Sequence, residues 1–333
     1  MTQFDPAAIN RGVSETINSY DGPAPALIFE AYRDGVSVSS ATGTVGLDDP
    51  RLANTEDKFE IGSQTKMMTT TVLLQLVDEG NFSLDDRLAD VMDVSAMSWM
   101  PNIEEVTVRQ LMTHTSGIPD FLKDVPGVEG AIIEMLSQDP PQPVGPDQYL
   151  ALLEEFGPPA LSEPGTEYNY SNTGFLLLGL LIEETTGTTL AEEYQSRIFD
   201  PAGMTSSSLP GFSTPDGILN SYAVVDGEFV DVTNLPIADL GDGGVVSTTG
   251  DMIRFMKALL VDGTLVPEGQ GDALEQYFAA GGGLEEGGLI GHGGGTFGAT
   301  SITLFDPVTG TIFSVAETMR YGPDTPSDLA FQA

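Results

Sequence analysis

Ser63-Gln64-Thr65-Lys66 runs directly into Met67-Met68-Thr69-Thr70-Thr71-Val72-Leu73-Leu74-Gln75-Leu76-Val77. Residues at i and i+3 share a helix face, so a hydroxyl and an amine spaced in this way can touch. The apolar positions Met67, Val72, Leu73, Leu76 and Val77 predict a buried helix over 65–79, closed by Gly80. Serine alone is a poor nucleophile, but a neighbouring amine held neutral by desolvation can accept its proton. A helix-start serine that caps free amides would give the same four residues. What separates the readings lies downstream, in fixed order. Tyr170-Ser171-Asn172 sits inside the segment from Pro164 to Gly174, and His292-Gly293-Gly294 sits inside Gly291-His292-Gly293-Gly294-Gly295-Thr296-Phe297-Gly298.

Taken together, the three elements resemble the serine β-lactamase and DD-peptidase superfamily. The similarity is to its class C-like branch of DD-carboxypeptidases, D-aminopeptidases, D-amino-acid amidases and esterases of the same fold. Leu111-Met112-Thr113-His114-Thr115-Ser116-Gly117-Ile118, the segment from Ile198 to Met204 and the segment from Gly243 to Met252 are similar to that branch as well. The similarity extends from about Ala26 to Glu317. It implies an α+β fold with an antiparallel sheet flanked by helices and an inserted, mainly helical lobe. The expected division is 1–62 and 240–333 for the two parts of the α/β lobe and 63–239 for the helical one, with the active site in their cleft.

The resemblance also implies roles. Ser63 is the nucleophile, forming an acyl-enzyme that water hydrolyses. Lys66 is its base or the cation beside it, and Tyr170 is a second base between serine and leaving group. Asn172 orients Lys66 and the substrate amide, although an N-cap role for a helix near Thr173 fits the sequence too. His292 stands where lactamases of the family usually carry lysine. Its cationic form could attract a carboxylate, or it could pass a proton through Tyr170. Gly293, Gly294 and Thr296 are the expected substrate-side residues, and the backbone N–H groups of Ser63 and Gly295 the expected oxyanion hole. His114, the only other histidine, reads as part of a structural turn.

Composition narrows the field. Twelve basic and 50 acidic residues in 333 give a net charge of −38, which disfavours nucleic acid and anionic membrane surfaces. Such self-repulsion is screened by salt, so either a saline habitat or simply an acidic soluble protein fits. The absence of cysteine excludes disulfides, thiol catalysis and thiolate metal sites. No apolar run reaches membrane-spanning length. The N-terminus Met1-Thr2-Gln3-Phe4-Asp5-Pro6 has neither the basic nor the apolar region of a secretory leader, so the protein is cytoplasmic as written, or a leader has been removed. No His-Glu-x-x-His, no Gly-x-Ser-x-Gly and no phosphate loop occurs. No metal or cofactor is expected. The expected partner is a small-molecule or peptide substrate, and oligomeric state is left open.

Hydrophobic patterning places strands at both ends, over 26–32 and 36–41 and over 289–292, 300–305 and 311–316. Helices are expected between them, over 108–113, 147–155, 172–185 and 190–199, with surface loops at 140–146 and 281–288. The functional expectation is a serine acyl hydrolase for amide or peptide bonds of D-amino-acid substrates. Its rivals are an esterase for short-chain esters, a weak β-lactamase and a penicillin-binding sensor without turnover.

Overall fold

A computed structural model describes residues 24–225, 227–282, 284–286 and 288–320, together with residues 7, 11, 12 and 15. The chain opens with a hairpin, β1 (Ala26–Arg33) and β2 (Val36–Gly43). Arg33 pairs with Val36, which leaves a two-residue loop. Both loop residues, Asp34 and Gly35, have positive φ (51° and 84°). This is the turn whose twist matches the strands it joins, and Asp-Gly is suited to it.

Four more strands come from the far end: β3 (Leu284–Glu286), β4 (Leu289–Gly295), β5 (Thr300–Asp306) and β6 (Thr311–Glu317). The sheet order is β2-β1-β6-β5-β4-β3 and every pair is antiparallel. The first and last parts of the described sheet therefore meet at β1 and β6, with Leu27 opposite Glu317 and Tyr32 opposite Ile312.

Two expectations are corrected here. The stretch 281–288 is not wholly a loop, because it supplies β3 through backbone pairing of Leu284 with Gly291 and Glu286 with Leu289. Gly283 and Gly287 lie outside the described residues. The strand expected to stop at His292 continues through the glycines to Gly295, each opposite a partner on β5. Glycine disfavours strands for want of a side chain, but a neighbour with a full ladder supplies what propensity lacks.

Between the ends lie the helices. α1 (Thr65–Asp78) is buried nearly all round, with Thr65, Lys66, Thr69, Thr70 and Thr71 buried beside its apolar residues. It packs against α2 (Asn172–Thr186), where Phe175, Leu176, Leu177, Leu178, Leu181 and Ile182 are also buried. α3 (Thr249–Met256), capped by the Thr248 hydroxyl, lies against β1, β5 and β6. One apolar cluster reaches from Phe59 and Ile61 through α1 and α2 to Ile312 and Ala316 on the sheet, so helices and sheet share a core. Each large side chain so buried contributes about 1.5–3 kcal/mol.

The expected helical middle also contains an unforeseen hairpin, Tyr222–Val225 with Glu228–Asp231. Its strands are too short, and the second too exposed, to leave an alternating pattern. Among the described residues, no helix is long and apolar enough to cross a membrane.

Candidate active site

Ser63 lies in a tight 3-10 turn, Gly62–Gln64, that leads into α1. Lys66 follows one turn later, near the start of α1, and residues three apart share a face, which puts the amine beside the serine. Gly62 makes the turn possible. Its φ is +54°, and a Cβ there would stand 2.7 Å from the Gly295 backbone nitrogen.

Ser63 Oγ is 3.1 Å from Lys66 Nζ and 2.8 Å from the Tyr170 hydroxyl. Lys66 is fully buried. Its Nζ donates to Asn172 Oδ1 at 2.7 Å and to the Asp242 carbonyl at 2.6 Å. Two acceptors thus fix two N–H directions, and the third direction faces the serine. As an ammonium the group donates to Oγ. As an amine it keeps both anchors and turns its lone pair to the serine proton. The same geometry serves either state, so proton transfer needs no rearrangement. Nζ also lies 5.0 Å from the Tyr170 ring centre and 5.6 Å from that of Phe175, whose faces favour a cation.

The segment after Tyr170 shows why Asn172 is free to reach Lys66. The N-cap of α2 is Ser171, whose hydroxyl accepts the Gly174 N–H, and Asn172 is the first helical residue. The capping alternative for Asn172 is therefore corrected. The Asn172 backbone N–H is taken by Asp120 Oδ2 at 2.5 Å, and the same carboxylate accepts from Leu122 and Lys123. Burial raises the Asp120 pKa despite those three amides.

His114 reads from sequence as a turn residue, and it is one: its φ is +56° and it is 1% exposed. It also stacks on the Tyr170 ring, centres 4.4 Å apart. Tyr168 packs edge-on against the His114 ring, from the irregular backbone of 168–171.

His292 sits on β4 and is 7% exposed. Burial, then the nearby Lys66 charge, lowers its pKa to about 4. Near neutral pH the ring is uncharged, and the expected cation for a substrate carboxylate is not supplied. Its only hydrogen bond among the described residues joins Nδ1 to the Gly293 carbonyl; the Tyr170 hydroxyl is not a partner.

Gly294 is pressed against the nucleophile turn rather than held open for substrate, since a Cβ there would stand 1.8 Å from the Ile61 carbonyl oxygen. Gly295 faces open space. The Thr296 hydroxyl donates to Glu60 Oε2 at 2.8 Å and accepts from the Gly298 and Ala299 amides.

Sequence reasoning missed the carboxyls around this corner. A pocket beside Thr296 and Gly243 is lined by Glu60, Asp239 and Phe297. Burial raises the pKa values of Glu60 and Asp239. The carboxyl of Asp242, whose carbonyl anchors Lys66, rises to about 7 through burial and then the neighbouring Asp239. They come from two distant segments, Glu60 from the short strand Phe59–Glu60 and Asp239 and Asp242 from one loop, so only the tertiary approach brings them together. Among the described residues, no group of three or more histidine, aspartate or glutamate side chains is arranged to hold a metal ion.

Residues 21–333 match the family model described as Beta-lactamase. A D-aminopeptidase of Brucella anthropi is 31% identical, over 77% of this chain and 46% of that protein. Penicillin-binding protein 4 of Amycolatopsis lactamdurans is 29% identical, over 74% of this chain and 61% of that protein. The chain thus spans about half the length of the curated relatives it matches. A solved D-stereospecific amidohydrolase from Streptomyces sp. superposes with a TM-score of 0.75 over 95% of this chain and 94% of that one, at 24% identity.

Proposed function

The chain belongs to the Beta-lactamase family, and from that premise we propose that it is a serine acyl hydrolase for amide or peptide bonds of D-amino-acid substrates. The observation that carries the reading is Ser63 Oγ within hydrogen-bonding reach of both Lys66 Nζ and the Tyr170 hydroxyl. Ser63 attacks the carbonyl while its proton passes to Lys66 or Tyr170. The tetrahedral oxyanion is taken by the Ser63 and Gly295 N–H groups. The proton taken from Ser63 is then delivered to the leaving amine, from Tyr170 directly or from Lys66 by way of Tyr170, so that both groups end as they began. Water then releases the acyl group by the reverse path. In this reading 63–239 carries nucleophile and phenol, 240–333 carries the glycine-rich wall, and 1–62 ends in the Ile61-Gly62 backbone packed against that wall.

Two features favour an amine-bearing substrate. The pocket with Glu60 and Asp239 suits a free ammonium, and the neutral His292 offers no partner to a terminal carboxylate. The similarity to a D-aminopeptidase points the same way. The test is a panel of D-Ala-p-nitroanilide, a D-Ala-D-Ala peptide and p-nitrophenyl butyrate on wild type and Ser63→Ala. Turnover of the anilide, lost in Ser63→Ala, is expected. Turnover of the ester alone would assign an esterase. A stable penicilloyl adduct by intact mass, without turnover of any of the three, would assign a sensor.

A further inference from the structure

Three contacts converge on Tyr170 from one residue. The His114 backbone carbonyl accepts the Asn169 N–H at 2.7 Å. Its Nδ1 accepts the Ser171 N–H at 3.1 Å. Its ring lies against the Tyr170 phenol, tilted by 29°. The residues immediately before and after Tyr170 are thus both tied to His114, and the side chain between them rests on its imidazole. We infer that His114 is the positioning residue that aims the Tyr170 hydroxyl at Ser63, an inference that rests on the serine-hydrolase reading of the site.

The bond from Ser171 fixes the chemical form of the ring. An Nδ1 that accepts an N–H carries no proton, so the proton of the neutral ring is on Nε2. Nε2 has no hydrogen-bond partner among the described residues. Burial, with the Lys66 charge adding to it, opposes protonation of the ring. The imidazole therefore makes no hydrogen bond to the serine through which to move its proton. It offers a flat face and one acceptor in a fixed tautomer. The left-handed backbone at His114 lets one residue present both its carbonyl and its ring to the 169–171 segment. That conformation is uncommon for residues other than glycine, asparagine, aspartate and histidine. Because 168–171 is irregular backbone, no strand or helix ladder sets the angle of Tyr170. His114 supplies what regular structure does not.

The test is a double-mutant cycle on the full chain with D-Ala-p-nitroanilide. His114→Asn keeps a side-chain acceptor and tolerates the backbone, but removes the platform. It should lower kcat by about 30-fold with KM within about threefold. In a Tyr170→Phe background the same change should cost less than about twofold, because its effect passes through the phenol. Equal losses in both backgrounds would overturn the proposal and leave His114 a merely structural turn residue. A readout on the resting wild type is independent of turnover and of variant folding. Nitrogen-15 NMR should show His114 with Nδ1 unprotonated and Nε2 protonated. The opposite tautomer would overturn the proposal even if the chain proved to be no hydrolase. Absence of turnover in wild type with the expected tautomer would strike only the serine-hydrolase reading.

Discussion

At the floor of the site, side chains hold one another. Lys66 is anchored by Asn172 and by the Asp242 carbonyl, Ser63 lies between Lys66 and Tyr170, and Tyr170 rests on His114. On β4 the opposite holds. Four of the five residues from Gly291 to Gly295 have no side chain, and the strand is placed by backbone pairing with β5 and by close approach to Ile61 and Gly62. The floor is thus vulnerable to deletion of atoms and the wall to their addition. This difference separates two kinds of constraint: chemistry that needs particular groups, and a narrow gap that needs their absence.

The largest expected effect tests the floor. Lys66→Ala removes a group bonded to Ser63, Asn172 and Asp242 together, and kcat/KM should fall by about 10³-fold, or about 4 kcal/mol. Combined with Ser63→Ala it should add almost nothing, because the two act as a unit. A single-variant loss below tenfold on the anilide would detach Lys66 from the chemistry.

The wall is tested by adjacent glycines. Gly294→Ala puts a methyl group 1.8 Å from the Ile61 carbonyl oxygen, so strand or nucleophile turn must shift. Overpacking of this kind costs about 1–3 kcal/mol, and with the turn displaced activity should drop about 100-fold. Gly295→Ala meets nothing within 4 Å and keeps its N–H, so it should stay within about threefold of wild type. Melting curves and kcat/KM for the pair decide the matter. Equal sensitivity would mean that the wall is not set by close approach.

This contrast also explains what was legible in the sequence. Ser63, Lys66, Tyr170 and Asn172 announce themselves because reactive groups at fixed spacings are unusual, and the structure brings all four together. That strands from both ends share one sheet followed from apolar runs there and from the family resemblance, whereas the specific pairing of β1 with β6 is seen only in the structure. β3 was not legible, because two glutamates beside glycines carry no strand pattern and the pairing is made by backbone. The capping role of Ser171 was hidden because Asn172 is as good a capping residue by type. Glu60, Asp239 and His114 were missed as parts of the site for a different reason. Each sits in a stretch that reads as ordinary fold, and only the tertiary approach gives it a task.

A smaller effect sharpens the comparison where wall and pocket meet. Glu60→Gln keeps an oxygen for the Thr296 hydroxyl but removes the ionisable carboxyl that an ammonium would pair with. Turnover of D-Ala-p-nitroanilide should fall about tenfold, the size of one charge-assisted contact, about 1.4 kcal/mol. Turnover of p-nitrophenyl butyrate, which has no ammonium, should change less than twofold. Equal losses on both substrates would mean that Glu60 holds Thr296 in place and selects nothing.

The smallest effect concerns the single side chain on the glycine wall. With a pKa near 4, His292 carries no charge between pH 5.5 and 8. The ratio of wild-type to His292→Asn kcat/KM should therefore be constant across that range. A ratio that changes tenfold with a midpoint near 6.5 would restore a cationic histidine and, with it, a site for substrate carboxylates. Stability gives the same answer by another route. An unfolded histidine titrates near 6.5, so between about 6.5 and 4 the unfolded chain binds a proton that folded His292 refuses. Stability conferred by the neutral ring is present above 6.5 and is lost as pH falls through that window. The His292→Asn protein lacks this contribution, so its melting temperature should fall less steeply on acidification than that of wild type. Parallel curves would show that the wall leaves His292 free to charge.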